Sequence, residues 1–307
     1  MLAEIRAVLV TRPGGRYVDG TLGAGGHAAA VLAASIPGGR LLGLDRDPLA
    51  LRLAGARLAE FGERVVLRRA SFDRMGEVMR DMGWEAVDGI LLDLGVSSMQ
   101  LDLARRGFSF RQDAPLDMRM GPEGATAADL LADLEERELA HLLKLYGEEP
   151  FAGAIARTLV RARAEAPIAT TGRLASLVEA SLPAVERRKR RLHPATQVFQ
   201  ALRIAVNEEI GRLDRFLAAL PGLLRPGGRV AIISYHSLED RPVKRALAAL
   251  ARTCVCPPRL AVCACGKKPL VELVTPRALR PTADEVAANP RARSARLRAA
   301  ERTGAAA

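Results

Sequence analysis

The chain has 307 residues, 49% hydrophobic and 26% charged, the composition of a soluble globular protein with length for about two domains. Its net charge of +11 and pI near 10.3 favour a polyanionic partner, nucleic acid before an anionic membrane surface. No apolar run approaches the ~20 residues of a membrane span, and all four cysteines sit in one cluster, which argues for a cytoplasmic protein without a membrane anchor or disulfide framework.

Residues 1–12 read as a short amphipathic helix ended by Pro13-Gly14-Gly15; Glu4 and Arg6 inside its apolar stretch are unlike a secretory signal. Tyr17-Val18 is a short buried strand that ends at Asp19 and runs into a loop holding Gly20, Gly23, Gly25 and Gly26. An alanine-rich helix over 28–34 follows. Strand, glycine loop and helix in that order form a nucleotide-type binding turn, because glycine accepts positive φ and carries no Cβ to block a ligand. After Pro37-Gly38-Gly39, residues 40–45 form a second buried strand ending in an acid. Asp45 lies 20 residues after Gly25, the distance at which a strand-two carboxylate meets ribose hydroxyls. Capping the helix that starts at Pro48 is its alternative role. Residues 64–67 form a third strand, with Phe72 just beyond it, placed to cover an adenine face or to join the core. Residues 87–94 form a fourth, apolar throughout its interior, as in a parallel strand covered on both faces.

Helical periods then replace the alternation from 108 to about 197. Thr126 opens a capping-box-like start, and Leu130, Leu131, Leu134, Leu142 and Leu143 supply an apolar face. Phe151, Ile155 and Leu159 mark another helix, and Leu174, Leu177 and Val178 a third. One long helix is expected from Pro194 through Leu220. The sheet resumes where Leu-Arg-Pro-Gly-Gly, 224–228, feeds a fifth strand to Ser234, and residues 270–275 offer a further strand. The Arg-rich tail from Asn289 to Thr303 is expected to order partly on a partner. Residues 1–107 and 198–307 are thus expected to build an α/β domain with a doubly wound parallel sheet, and 108–197 an inserted all-helical domain between strands four and five.

Gly23-x-Gly25-x-x-Ala28 also satisfies the dinucleotide fingerprint, so these glycines and Asp45 alone leave an NAD-dependent oxidoreductase open. The acid-glycine start Asp19-Gly20, the lack of a following Lys-Ser/Thr, and the Leu-Arg-Pro-Gly-Gly turn favour S-adenosylmethionine. Asp93 and the polar turn after it stand at the tip of strand four, outside the carboxyl ends where ligands of open α/β sheets bind. A helix cap on Ser97 or Ser98 is the other reading of that turn. Cys254-x-Cys256 and Cys263-x-Cys265 could close a structural zinc site through four thiolates, or form a reduced surface loop. The run Arg187-Arg-Lys-Arg-Arg191 and the tail residues Arg291, Arg293, Arg296 and Arg298 suit phosphate contacts, or solvated faces.

The motifs Asp19-Gly-Thr-x-Gly-x-Gly-Gly-His27, Asp93-Leu-Gly-Val-Ser-Ser-x-Gln-Leu-Asp102, Arg106-Gly-Phe-Ser-Phe110, Pro115-Leu-Asp-Met-Arg119, His193-Pro-Ala-Thr196, Ser234-Tyr-His-Ser-Leu-Glu-Asp-Arg241 and Asn289-Pro-Arg-Ala-Arg-Ser294 together resemble the RsmH (MraW) family. That resemblance implies a Rossmann-like class I S-adenosylmethionine-dependent methyltransferase acting on 16S ribosomal RNA of the small subunit, at the N4 amine of a decoding-site cytidine. It implies Gly25, Gly26, His27, Asp45, Phe72, Asp93 and Gln100 as donor-binding residues, and it leaves a homodimer open. The family begins with a His-x-Pro-Val-Leu segment ahead of its first helix, whereas this sequence begins inside that helix. Cytosine N4 is a poor nucleophile because its lone pair is delocalised into the ring. Asp93 or a neighbour in its turn, with Ser234 to His236 opposite, is expected to polarise it, and positioning supplies much of the rest. The base must also be turned out of its stack. A non-catalytic RNA-binding assembly factor is the remaining rival, and the intact turn from Asp93 to Gln100 argues against it.

Overall fold

The computed structural model describes residues 1–10, 12–190, 192–257 and 264–305. Contacts divide the chain into two compact units, one formed by Met1–Gly95 with Ile210–Ala307 and the other by Val96–Glu209. No helix among the described residues is long and apolar enough to cross a membrane.

The first unit holds α1 (Leu2–Leu9), α2 (Gly26–Ala34), α3 (Pro48–Leu58) and α4 (Met75–Asp81). Its strands are β1 (Arg16–Asp19), β2 (Arg40–Asp45), β3 (Val65–Arg69), β4 (Val87–Asp93), β5 (Leu224–Ser234), β6 (Val271–Leu273) and β7 (Arg296–Arg302). They form one sheet in the order β3-β2-β1-β4-β5-β7-β6. β1 to β5 are mutually parallel, and β7 is inserted antiparallel between β5 and β6. β4 is buried from Val87 to Leu92, which is why it reads as a continuous apolar run. From β1 the chain builds outward to β2 and β3, then crosses back to β4. That reversal opens a crevice at the carboxyl ends of β1 and β4, where ligands bind in open sheets of this kind. Leu32, Leu41 and Ile5 belong to one core of the unit, and Phe216, Leu220, Ile90 and Met75 to another.

The second unit contains α5 (Ser98–Asp102), α6 (Ala127–Asp133), α7 (Glu136–Gly147), α8 (Ala152–Glu165), α9 (Thr171–Ala180), α10 (Ala184–Lys189) and α11 (Ala195–Asn207). Thr126 caps α6 through the reciprocal box with Asp129 that the sequence suggested. The chain then continues as α12 (Glu209–Leu223), α13 (Ser237–Leu250) and α14 (Ala283–Ala288).

Three expectations change. The single helix from Pro194 to Leu220 is two, α11 and α12, because Glu208 takes φ 50, ψ 35 and ends the first. The helical unit spans 96–209 where the sequence suggested 108–197. Ala195, Val198, Ala201 and Leu202 of α11 are buried in the helical core, so that helix sits with its packing partners. The Arg-rich tail contributes a strand of the sheet itself: Leu297, Ala299 and Ala300 are fully buried in β7. Alternating arginines had masked a period-two strand.

Candidate active site

Asp19, Asp45 and Asp93 are the last residues of β1, β2 and β4, so the parallel register brings three carboxylates to one edge of the sheet. The loop after β1 extends the ladder on both sides before turning away. Gly20 N–H donates to Leu91 O and Leu22 N–H to Leu44 O, each at 2.9 Å. A Cβ on Gly20 would come within 2.5 Å of Leu92 Cδ2 and 3.0 Å of Phe72 Cβ, so any side chain here would force its neighbours to shift. Gly25 caps α2 at φ 77, ψ 17, a left-handed conformation that a side chain would strain.

Asp45 fastens the loop to β2. Its Oδ2 accepts the Gly23 N–H and its Oδ1 the Asp47 N–H, both at 2.8 Å. The N-cap of α3 is Asp47, whose Oδ1 accepts the Leu49 N–H at 2.9 Å, so the capping role weighed for Asp45 belongs two residues on. The Arg46 N–H bonds the same carboxyl, so three backbone donors orient it, and its remaining acceptor capacity suits a ribose hydroxyl.

Asp93 is held from three directions. Thr21 Oγ1 accepts its backbone N–H at 2.6 Å, and the Tyr235 hydroxyl donates to its Oδ1 at 2.9 Å. His27 Nδ1 lies 3.5 Å from Oδ2, so that oxygen is the less committed of the two. Tyr235 is placed by the turn between β5 and α13, where buried Glu239 accepts the Tyr235 N–H at 2.8 Å and faces His236 Nε2 at 3.0 Å. Of the segment Ser234 to His236, Tyr235 is therefore the residue bonded to Asp93. The Ser234 hydroxyl is buried and nearest Asp240.

Burial pushes all three carboxyls above the ordinary aspartate value. For Asp19 the rise is to about 7, with the charges of Asp93 and Asp45 adding to it and the Thr21 N–H opposing it. Asp93 and Asp45 rise chiefly through burial; His27 and the Tyr235 bond oppose the rise at Asp93. Burial lowers the imidazole of His27, and burial next to Asp93 raises the phenol of Tyr235, so it stays a donor. Three crowded acids form a site that favours a cationic ligand, since a positive charge there relieves both the desolvation and the mutual repulsion.

The family model described as the MraW methylase family matches residues 1–303. The chain belongs to the MraW methylase family. It is 53% identical over 300 residues to the ribosomal RNA small subunit methyltransferase H of Symbiobacterium thermophilum, covering 97% of this chain and 94% of that one. The protein of the same name from Heliobacterium modesticaldum is 52% identical over 304 residues, covering 98% and 97%. That of Geobacter sulfurreducens is 53% identical over 303 residues, covering 98% and 97%.

Of the residues that the family resemblance implies as donor-binding, Gly25, Gly26, His27, Asp45, Phe72 and Asp93 lie in the first unit. Phe72 is half-buried after β3 and meets Phe216 edge-on at 6.0 Å, so it both joins the core and borders the loop at Gly20. Gln100 lies in the helical unit, buried, with its side-chain oxygen accepting the Ser97 N–H at 3.0 Å. Ser97 accepts in return from Gln100 N–H, so the helix-cap reading of this turn is realised in the MraW-family chain. Thr21 and Glu239 escaped the sequence reading. Their only signal was their place inside family motifs, because neither has chemistry of its own at that spacing.

The basic residues divide into two kinds. Arg190 forms a two-pronged pair with fully buried Glu149, at 2.6 and 2.8 Å, and so holds the helical unit together. Arg298 pairs with Asp240 at 2.7 and 3.1 Å, and Arg296 joins at 3.0 Å. Arg188, Arg291 and Arg293 are exposed or half-exposed, whereas Arg191 lies outside the described residues. Beside Tyr235 a cavity of about 230 Å³ is lined by His236, Arg280, Arg293 and Arg296. Cys254, Cys256 and Cys265 gather after α13; Cys263 lies outside the described residues.

Proposed function

We propose that the chain methylates the N4 amine of a decoding-site cytidine in 16S ribosomal RNA, with Asp93 as the group that polarises the amine. At the coarser level it is an S-adenosylmethionine-dependent methyltransferase of the MraW family, and its full-length relatives are named as methyltransferases of small-subunit ribosomal RNA. The observation that carries the finer reading is the Asp93–Tyr235 pair at the tip of β4, next to the glycine loop that Asp45 fastens.

Asp45 would hold the donor's ribose hydroxyls through charge-assisted bonds, and the glycine loop would leave room for its backbone approach. Gly25, Gly26, His27, Phe72 and Asp93 of the same unit complete the proposed donor set, and Gln100 is assigned to it on the family resemblance alone. When bound, the donor supplies an electrophilic methyl on a sulfonium, with a neutral thioether as leaving group. The chain's part is to ready the acceptor. Asp93 Oδ2 would accept one N4–H, drawing the nitrogen lone pair out of the ring, and would take that proton once the new N–C bond has formed. The Tyr235 hydroxyl keeps Oδ1 occupied, which fixes the carboxylate's orientation and tempers its burial. Arg280 and Arg293 would meet the RNA phosphates flanking the extruded base. Such a protein acts in the cytoplasm, where small subunits are assembled.

Mapping methyl groups on small-subunit RNA tests this reading. RNA from a strain lacking the gene should gain one N4-methylcytidine when incubated with the protein and labelled donor. Label on a carbon or a ribose oxygen would refute it, and absence of label with RNA binding intact would favour the assembly factor. Asp93→Asn should abolish single-turnover transfer even at donor concentrations that saturate the variant, as S-adenosylhomocysteine titration defines them. Transfer at an unchanged rate would remove Asp93 from the chemistry.

A further inference from the structure

We propose that Cys254, Cys256 and Cys265 bind a zinc ion as thiolates, at a structural site separate from the methyl-transfer site. The three sulfurs lie within 4.8 Å of one another, in the segment between α13 and β6. Cys265 Sγ is 3.8 Å from Cys254 Sγ. A tetrahedral ion with Zn–S bonds of about 2.3 Å sets its sulfurs about 3.8 Å apart, whereas a disulfide needs about 2.05 Å. The pair therefore stands at the separation of two ligands on one ion.

The backbone is arranged for negative sulfur. Val255 N–H points at Cys265 Sγ at 3.5 Å, and Cys256 N–H at Cys254 Sγ at 3.3 Å. Donors of this kind stabilise a thiolate and orient it, as outer partners do at metal sites. Apolar packing does not account for the cluster, since Cys254 and Cys265 are exposed and neighbouring Val255 is 57% exposed. Soft sulfur donors select zinc over the hard cations magnesium and calcium. On binding, each thiol gives up its S–H proton to solvent and donates an electron pair to the ion, so uptake releases acid. The gain is a cross-link in a segment whose described residues, 252–257 and 264–270, join none of the three hydrophobic cores. The proposal rests on these three thiols.

Metal analysis of the full chain, purified without chelator and dialysed, should find about one zinc per molecule, falling at least about tenfold in the Cys254→Ser/Cys265→Ser variant. Replacing zinc by cobalt(II) in the wild-type chain should give an intense near-ultraviolet thiolate-to-cobalt band. That spectrum decides the matter on its own if the double variant does not fold. Wild-type protein with under about a tenth of a zinc per chain and no thiolate–cobalt band would overturn the proposal. So would zinc retained in full by a folded double variant.

Discussion

Replacing Asp19 by Asn removes a charge from the most buried of the three site carboxyls while keeping its shape and its acceptor for the Thr21 N–H. Asp19 is 2% exposed, and burial raises its carboxyl from the ordinary 3.8 to about 7. Below the lower value the group is neutral in folded and unfolded chains, and above the upper it is ionised in both. Between the two, the folded chain holds a proton that the unfolded chain has released, so stability falls as pH rises. About three pH units at about 1.4 kcal/mol each put the ceiling near 4 kcal/mol. The Asn variant carries no such proton. Its stability advantage over wild type should be small near pH 4, grow through the interval, and level off above about pH 7. Urea unfolding at a series of pH values measures it, read by the fluorescence of Trp84, the sole tryptophan, which is 4% exposed in the first unit. An equal gap between variant and wild type at pH 5 and pH 8 would refute the reasoning.

The Tyr235→Phe variant loses the bond that lowers Asp93, so Asp93 should rise further and the acid limb of the single-turnover pH profile should move to higher pH; an unmoved limb would separate the two residues functionally. Asp45→Asn should weaken S-adenosylhomocysteine binding by about 10- to 100-fold in calorimetry, the worth of a charge-assisted bond to a diol. Asp240→Ala leaves Arg298, whose side chain is 13% exposed, without its carboxylate and should cost about 3 kcal/mol in urea unfolding at neutral pH. Burial opposes ionisation of Asp240, yet the bonds from Arg298 and Arg296 hold its carboxyl below the ordinary value. That contribution is present above the unfolded carboxyl's range and fades as pH falls through the lowered folded value. RNA affinity should drop steeply with salt, and Arg280→Ala with Arg293→Ala should flatten that slope by about two contacts' worth; an unchanged slope would take the cavity beside Tyr235 out of the RNA path.

The order of strands and helices in the first half was legible because each element carries its own local signal. Apolar runs ending in Asp19, Asp45 and Asp93 read as buried parallel strands, and glycines between strand and helix read as a binding loop. A residue's range of φ and its burial preference are local properties, so sequence exposes them. The helix break at Glu208 had no such mark, because a left-handed non-glycine is fixed by what packs on either side. β7 was hidden for a related reason. Arg298 looks like an RNA contact until Asp240, 58 positions earlier, is seen to neutralise it, and Arg190 likewise until Glu149 appears 41 positions away. Charge is additive along a sequence, but pairing depends on distance in space. Sequence therefore determined which chemical groups the protein owns and the fold class that presents them. Only the tertiary structure decided which arginines of the basic runs are paired with buried carboxylates, that Asp47 and not Asp45 caps α3, and that Tyr235 reaches Asp93.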